Sequence, residues 1–211
     1  QGICKLTGAT GPFVASHIIP EALTRPSVRG SPLIQYGDGK PPIRRWTSWY
    51  DSELVTAEGE RYLSDLDSWA ISTLRKHRLV WSGWGNGKTV AADHTTFFHS
   101  LGVRALENLD TKRLRLFFHS LLWRAAASTR EEFKEIEVSL DDLELLRLEI
   151  LGQADSQLSF FPVQLTQLST KGVVHNHAPI PDVKYLPHPY VPNGAPIALP
   201  TYRFYMDGLI A

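Results

Sequence analysis

Residues 4–23, "CKLTGATGPFVASHIIPEAL", hold the chain's single cysteine and a histidine at the end of a short apolar run. "PFVASHII" has the character of a strand, and Pro20 directly behind it closes that strand. A histidine mounted on a strand is held stiffly. With an ordinary pKa near ~6.5 it can take up or release a proton around neutral pH. The plain alternative is a strand histidine satisfied by a backbone carbonyl. What stands downstream of His17 decides between the two.

Residues 26–45, "PSVRGSPLIQYGDGKPPIRR", read as a Gly- and Pro-dense loop ending in two arginines. "WTSWYDSELVT" then alternates as a strand does. From Ala57 the apolar residues Leu63, Leu66, Trp69, Ala70 and Leu74 fall at helical spacing. Acids early in that segment and "LRKHR" late suit the helix dipole. A strand bearing His17, a second strand and a helix therefore follow one another.

In these residues the chain resembles the HNH nuclease superfamily, whose core is two strands and a helix around a metal ion. The resemblance rests on "CKLTG…FVASHIIPEAL" followed by "YDSELVTAEGERYL", and covers roughly residues 4–75. It implies that His17 is the general base, that Asp51 stands at the family's asparagine, and that Glu60 stands at the final metal-binding histidine. An Asp can orient a histidine as well as an Asn can, and a Glu binds Mg²⁺ or Mn²⁺ through oxygen. The four-cysteine knuckle of many members is lost. Cys4 keeps the first position, while Thr7, Thr56 and Gly59 stand at the other three. One thiolate cannot hold a structural zinc, so none is expected. The aromatic residues Trp46, Trp49, Tyr50, Tyr62 and Trp69 are candidates to pack in its place. Ser16 replaces a frequent acidic or histidine ligand. A third ligand is then expected from Asp65, Asp67 or a later histidine.

The chain has 211 residues, 43% of them hydrophobic and 21% charged, which describes a folded domain of ordinary size. Lys+Arg and Asp+Glu both number 22, so no global basic field marks a nucleic-acid binder. A DNA partner needs a local patch, and Arg44, Arg45, Arg75 and Lys76 are the candidates for phosphate contacts. Solvated surface is their alternative role. One cysteine favours a cytoplasmic setting, and no apolar run approaches the ~20 residues of a membrane helix. The C-terminal "TYRFYMDGLIA" reads as a strand stopped in mid-course, as if the chain continued.

Three other motifs carry less. "VVHNHAP" places His175 and His177 on one face of a strand, but Pro179 and Pro181 point to an exposed edge or loop. "SGWGNGKT" approaches the phosphate-binding pattern GxxxxGK[ST]. Ser82 stands at its first glycine and the bulky Trp84 lies inside it, so a glycine turn is expected. His94 and His99 are spaced off one helical face, and His119 reads as a packing residue.

Downstream, Asp110 caps a helix whose apolar face is Leu114, Phe117, Phe118, Leu121, Leu122 and Ala125. Ser139 caps "LDDLELLRLEIL". From Phe160 prolines multiply and short strands take over. The expected fold is α+β: an HNH-like ββα unit at 1–80, a helical region at 81–158, and a proline-rich β segment at 159–211 that reads as truncated. The expected function is a metal-dependent endonuclease or nickase acting on DNA, of the kind found in phage defence or mobile elements. The alternative is a non-catalytic module on the same scaffold that binds a protein partner or a second copy.

Overall fold

The computed structural model describes residues 1–25, 30–37, 40–90, 95–98, 101–173, 177–187 and 194–211. His94, His99 and His175 lie outside the described residues. The strands are β1 (Gly2–Ile3), β2 (Thr10–Gly11), β3 (Phe13–His17), β4 (Leu33–Gly37), β5 (Lys40–Arg45) and β6 (Tyr50–Thr56), then β7 (Thr95–Phe98) and β8 (Leu101–Arg104), then β9 (Thr166–Gln167), β10 (Ile180–Leu186), β11 (Ile197–Arg203), β12 (Tyr205–Met206) and β13 (Leu209–Ile210). The helices are α1 (Ala57–Lys76), α2 (Thr111–Ala127) and α3 (Leu140–Ile150). The fold is mixed α and β, with small antiparallel sheets.

β3 and β6 form an antiparallel ladder in which His17 faces Tyr50 and Ser16 faces Asp51, and α1 starts on the next residue after β6. The excursion between the two strands carries β4 and β5, which pair with each other. The segment expected as a loop thus contains a two-stranded ribbon. Pro41 and Pro42 obscured it, although prolines are tolerated on edge strands. The segment "LVW" forms a 3₁₀ turn at Trp81–Gly83 instead of a strand, with the backbone N–H of Trp81 spent on the carbonyl of Asp207.

Leu54 and Val55 of β6, Leu63, Leu66, Ala70 and Leu74 of α1, and Ile18, Ile19 and Leu23 beyond β3 are buried in one core with the apolar residues of α2 and α3. α2 is buried all round over residues 117–125, so it is the central helix and not an amphipathic cover. Asp110 and Ser139 cap α2 and α3 as expected, accepting from the backbone N–H groups of Arg113 and Asp142. The expected aromatic cluster does not form. Trp46 is 72% exposed, Trp49 turns to Phe133, and Trp69 lies under Arg113. Aliphatic side chains fill the space instead.

At the C-terminus β12, β13 and β9 form one sheet. Asp207 and Gly208 sit at φ +48° and +79°, the pattern of a two-residue hairpin turn, so "YMDGLI" doubles back where a single strand was expected. A Cβ on Gly208 would lie 2.2 Å from the Trp81 indole, so only glycine fits. β10 and β11 form a separate ribbon with most of its residues exposed.

Candidate active site

Cys4 opens a tight turn between β1 and β2. Its carbonyl accepts from Gly8 N at 2.8 Å, and its Sγ accepts from Thr7 N at 3.4 Å. Lys5 N donates to Leu54 O at 3.0 Å and fastens this turn onto β6. A Cβ on Gly59 would stand 2.6 Å from Cys4 Sγ, so the thiol occupies the space beside that glycine in the first turn of α1. Burial pushes the Cys4 thiol up, but the Thr7 hydroxyl and amide and the Thr56 amide and hydroxyl outweigh it and hold the thiol below its ordinary pKa. Residues 4, 7, 56 and 59 therefore meet at one point in space, with hydroxyls and a glycine around a single sulfur.

His17 ends β3, half-buried. Its Nε2 lies 3.0 Å from Thr47 Oγ1, and its ring meets Tyr50 edge-on at 6.0 Å. The carbonyl of His17 accepts from Arg124 Nη1 at 3.1 Å. The mount is therefore fixed from two sides: the ring by Thr47 and the backbone by a residue of α2. When Nε2 donates to Thr47, the ring's lone pair falls on Nδ1, free to take a proton.

Glu60 points from the first turn of α1 toward the same strand end. Burial pushes its carboxyl above the usual carboxylate range. The Ser16 hydroxyl, the Arg124 guanidinium and the His17 ring oppose that rise, and Asp67 adds to it. Ser16 is fully buried, yet neither Ser16 Oγ nor Glu60 Oε2 has a well-formed hydrogen bond. A buried hydroxyl and a carboxylate thus stand as each other's hydrogen-bonding partner at a geometry short of a well-formed bond, close to the His17 ring, a weak arrangement for folding alone. Such an oxygen-rich, partly buried position fits a hard divalent cation such as Mg²⁺ or Mn²⁺.

Asp51 is placed differently from the expectation. It faces Ser16, and its carboxylate accepts from Glu53 N at 2.7 Å and from Ser128 Oγ at 2.6 Å. It locks the end of α2 to β6 and does not bond His17. Thr47 does the orienting instead. Asp67 is likewise engaged, clamped by Arg124 with Nη1–Oδ2 at 2.9 Å and Nη2–Oδ1 at 2.5 Å. Asp65 is exposed on α1. Among the described residues no three His, Cys, Asp or Glu side chains gather as a metal-binding group.

The expected phosphate contacts differ in their engagement. Arg44 is exposed on β5, while Arg45 pairs with Glu132 at 3.3 Å. Arg75 and Lys76 lie in the last turn of α1, about 22 Å along the helix from Glu60. Arg75 spends its guanidinium on Ser82 Oγ and Ala22 O.

Sequence reasoning missed Arg124, which is 1% exposed and touches Asp67, Ser120 and the His17 carbonyl. The signal was present: an arginine inside the apolar run "SLLWRAAA" sits on a buried helix face, where it needs a counter-charge. Thr47 left no such signal. No helix among the described residues is long and apolar enough to cross a membrane. No protein-family model, curated protein or solved structure matches the chain.

Proposed function

We propose that this chain is a divergent HNH-like endonuclease that nicks DNA, with His17 as general base and Glu60 as the metal-holding carboxylate. The imperfectly paired Ser16 Oγ and Glu60 Oε2, close to His17, are the observation that carries this reading. The order β3–β6–α1 and the meeting of residues 4, 7, 56 and 59 around one sulfur also support it, because they match the layout of a knuckle whose cysteines have been replaced.

The residues have separable tasks. Thr47 holds Nε2, so that Nδ1 of His17 can accept a proton from an attacking water. Arg124 fixes the backbone that carries His17 and engages the Asp67 carboxylate. Glu60, with Ser16 at its side, would hold Mg²⁺ or Mn²⁺. That ion, when bound, supplies positive charge for the phosphoryl oxygens as negative charge develops. Mg²⁺ commonly uses one or two carboxylates together with water and substrate phosphate, so a single Glu60 suffices.

The engagement of Asp51 and Asp67 elsewhere favours a second reading, a non-catalytic interaction module on this scaffold. Plasmid nicking with Mg²⁺ or Mn²⁺ separates the two. We expect His17→Ala to lower nicking by about 10²–10⁴-fold. Equal activity in wild type and variant, or none with any divalent metal, would reject catalysis.

A further inference from the structure

The ribbon β4–β5 stands off the body of the protein. Its two strands pair with each other, and none of its described residues enters the hydrophobic core or packs against it. Ile34 and Ile43 are exposed, and so are Pro41, Pro42 and Arg44. A two-stranded ribbon alone in water is marginal at best, so a partner that covers it also stabilises it. Pro41 and Pro42 take two N–H groups out of β5, and that edge resists addition of a further strand. The side chains are left to make the contact.

Their charge has one sign. The whole chain is neutral, yet from Arg29 to Arg45 the sequence sets Arg29, Lys40, Arg44 and Arg45 against the single acid Asp38. The register separates the last two. Arg45 stands opposite Leu33 and Arg44 opposite Ile34, so the neighbouring arginines take opposite faces of the ribbon. Arg45 turns to the body, where its Nη2 donates to Glu132 Oε1 at 3.3 Å and fixes the base of the ribbon. Arg44 turns the other way, and no carboxylate among the described residues pairs with it. That base also joins the candidate active site. Thr47, whose Oγ1 lies 3.0 Å from His17 Nε2, is three residues beyond Arg44. Their Cα atoms are therefore no more than about 11 Å apart.

We propose that β4–β5 is an arm that binds duplex DNA, with Arg44 as its phosphate contact, and that it holds the duplex at the His17 end of β3. Charge complementarity selects a polyanion as the occupant. Shape selects a duplex, because the major groove, ~12 Å wide, admits a two-stranded ribbon. Arg44 supplies the free guanidinium, and Arg45 with Glu132 keeps the arm's base in place. The assignment of DNA rests on the reading of His17 and Glu60 as a nuclease site, but the binding itself uses neither residue.

The test uses the full chain in EDTA with a labelled duplex of ~20 bp, read by fluorescence anisotropy. We expect a Kd of about 10⁻⁶–10⁻⁴ M, the range of binding through phosphates. Arg44→Ala is expected to lower the salt slope by about 1, and Arg44→Glu to weaken binding about tenfold or more. Arg44 is exposed, so both variants keep the fold. Lys112→Ala is the control; that lysine is exposed about 18 Å along α2 from Arg124, and its loss should change neither quantity. His17→Ala should bind as wild type does. Binding unchanged in Arg44→Glu, a single strand of the same length bound as tightly as the duplex, or phosphatidylserine vesicles bound in place of DNA would each overturn the arm. If no divalent metal supports nicking while duplex binding still depends on Arg44, the arm stands and catalysis falls. If wild type and Arg44→Glu nick equally at sub-saturating DNA, the arm falls and catalysis stands.

Discussion

Two glutamates in this protein sit in buried surroundings and titrate in opposite directions. Glu149 on α3 is 7% exposed. Its carboxylate accepts from Ser156 N at 3.0 Å, from Arg115 Nη2 at 3.5 Å, and pairs with His119 Nδ1 at 2.7 Å. Burial pushes Glu149 up, but Ser156 and His119 more than cancel it, and its pKa falls below the usual range. Glu60 is desolvated too, but its only close donor is the Ser16 hydroxyl in an imperfect geometry, and its pKa rises. Burial is common to both, so the donors decide the sign. A carboxylate given all its donors is a structural fastener. One left short of them is costly to fold and is kept, on our reading, for a cation.

The largest expected effect is on the fastener. Replacing Glu149 with Gln leaves His119 and Arg115 buried without their counter-charge, and we expect a loss of about 3–5 kcal/mol in urea unfolding. The acid limb should change too. A carboxyl with a depressed folded pKa stabilises fully above its unfolded value, near ~4.3, and loses that contribution as pH falls through the folded value. Glu149→Gln should lack this limb; an unchanged acid profile would mean that the bonds to His119 and Ser156 do not set the shift.

For Glu60 the sign reverses. With the folded pKa raised, ionisation costs stability, fully above the folded value and not at all below ~4.3. Glu60→Gln should therefore stabilise the protein by about 1 kcal/mol at pH 8 in the absence of divalent metal, and the gain should vanish near pH 4. A variant less stable than wild type at pH 8 would erase the contrast between the two sites.

The smallest effect is at Gly59, where two magnitudes compete. Alanine gains about 1 kcal/mol of helix propensity in α1 but meets Cys4 Sγ at 2.6 Å and Val55 at 3.1 Å. Overpacking of this kind costs about 1–3 kcal/mol. We expect Gly59→Ala to lose about 1 kcal/mol net, and Cys4→Ala combined with it to recover most of that. A stabilising Gly59→Ala would show that the sulfur does not fill this space.

The parts of the fold legible in the sequence were those encoded locally. Asp110 and Ser139 sit next to the amide groups they cap, and the apolar spacing from Leu63 to Leu74 lies on one helix. The positions 4, 7, 56 and 59 were legible only because a resemblance placed them together. Arg124 with Asp67, and His17 with Thr47, join residues far apart in the chain, and no periodicity encodes such a pair. Asp51 shows the limit of analogy: it occupies the expected strand, but Ser128 at the end of α2 competes for its carboxylate.

The ladder between β3 and β6 closes a long excursion that holds the β4–β5 ribbon, with Arg44 exposed on it. Once such an excursion is long, doubling its length costs only about 0.6 kcal/mol. The His17 end of the ladder can therefore tolerate exchange of the ribbon from Leu33 to Arg44, while buried Leu23 and Thr24 and the Arg45–Glu132 pair stay. Lineages are free to rewrite that insert, and an engineer is free to graft one, while the strand ends and α1 stay as they are.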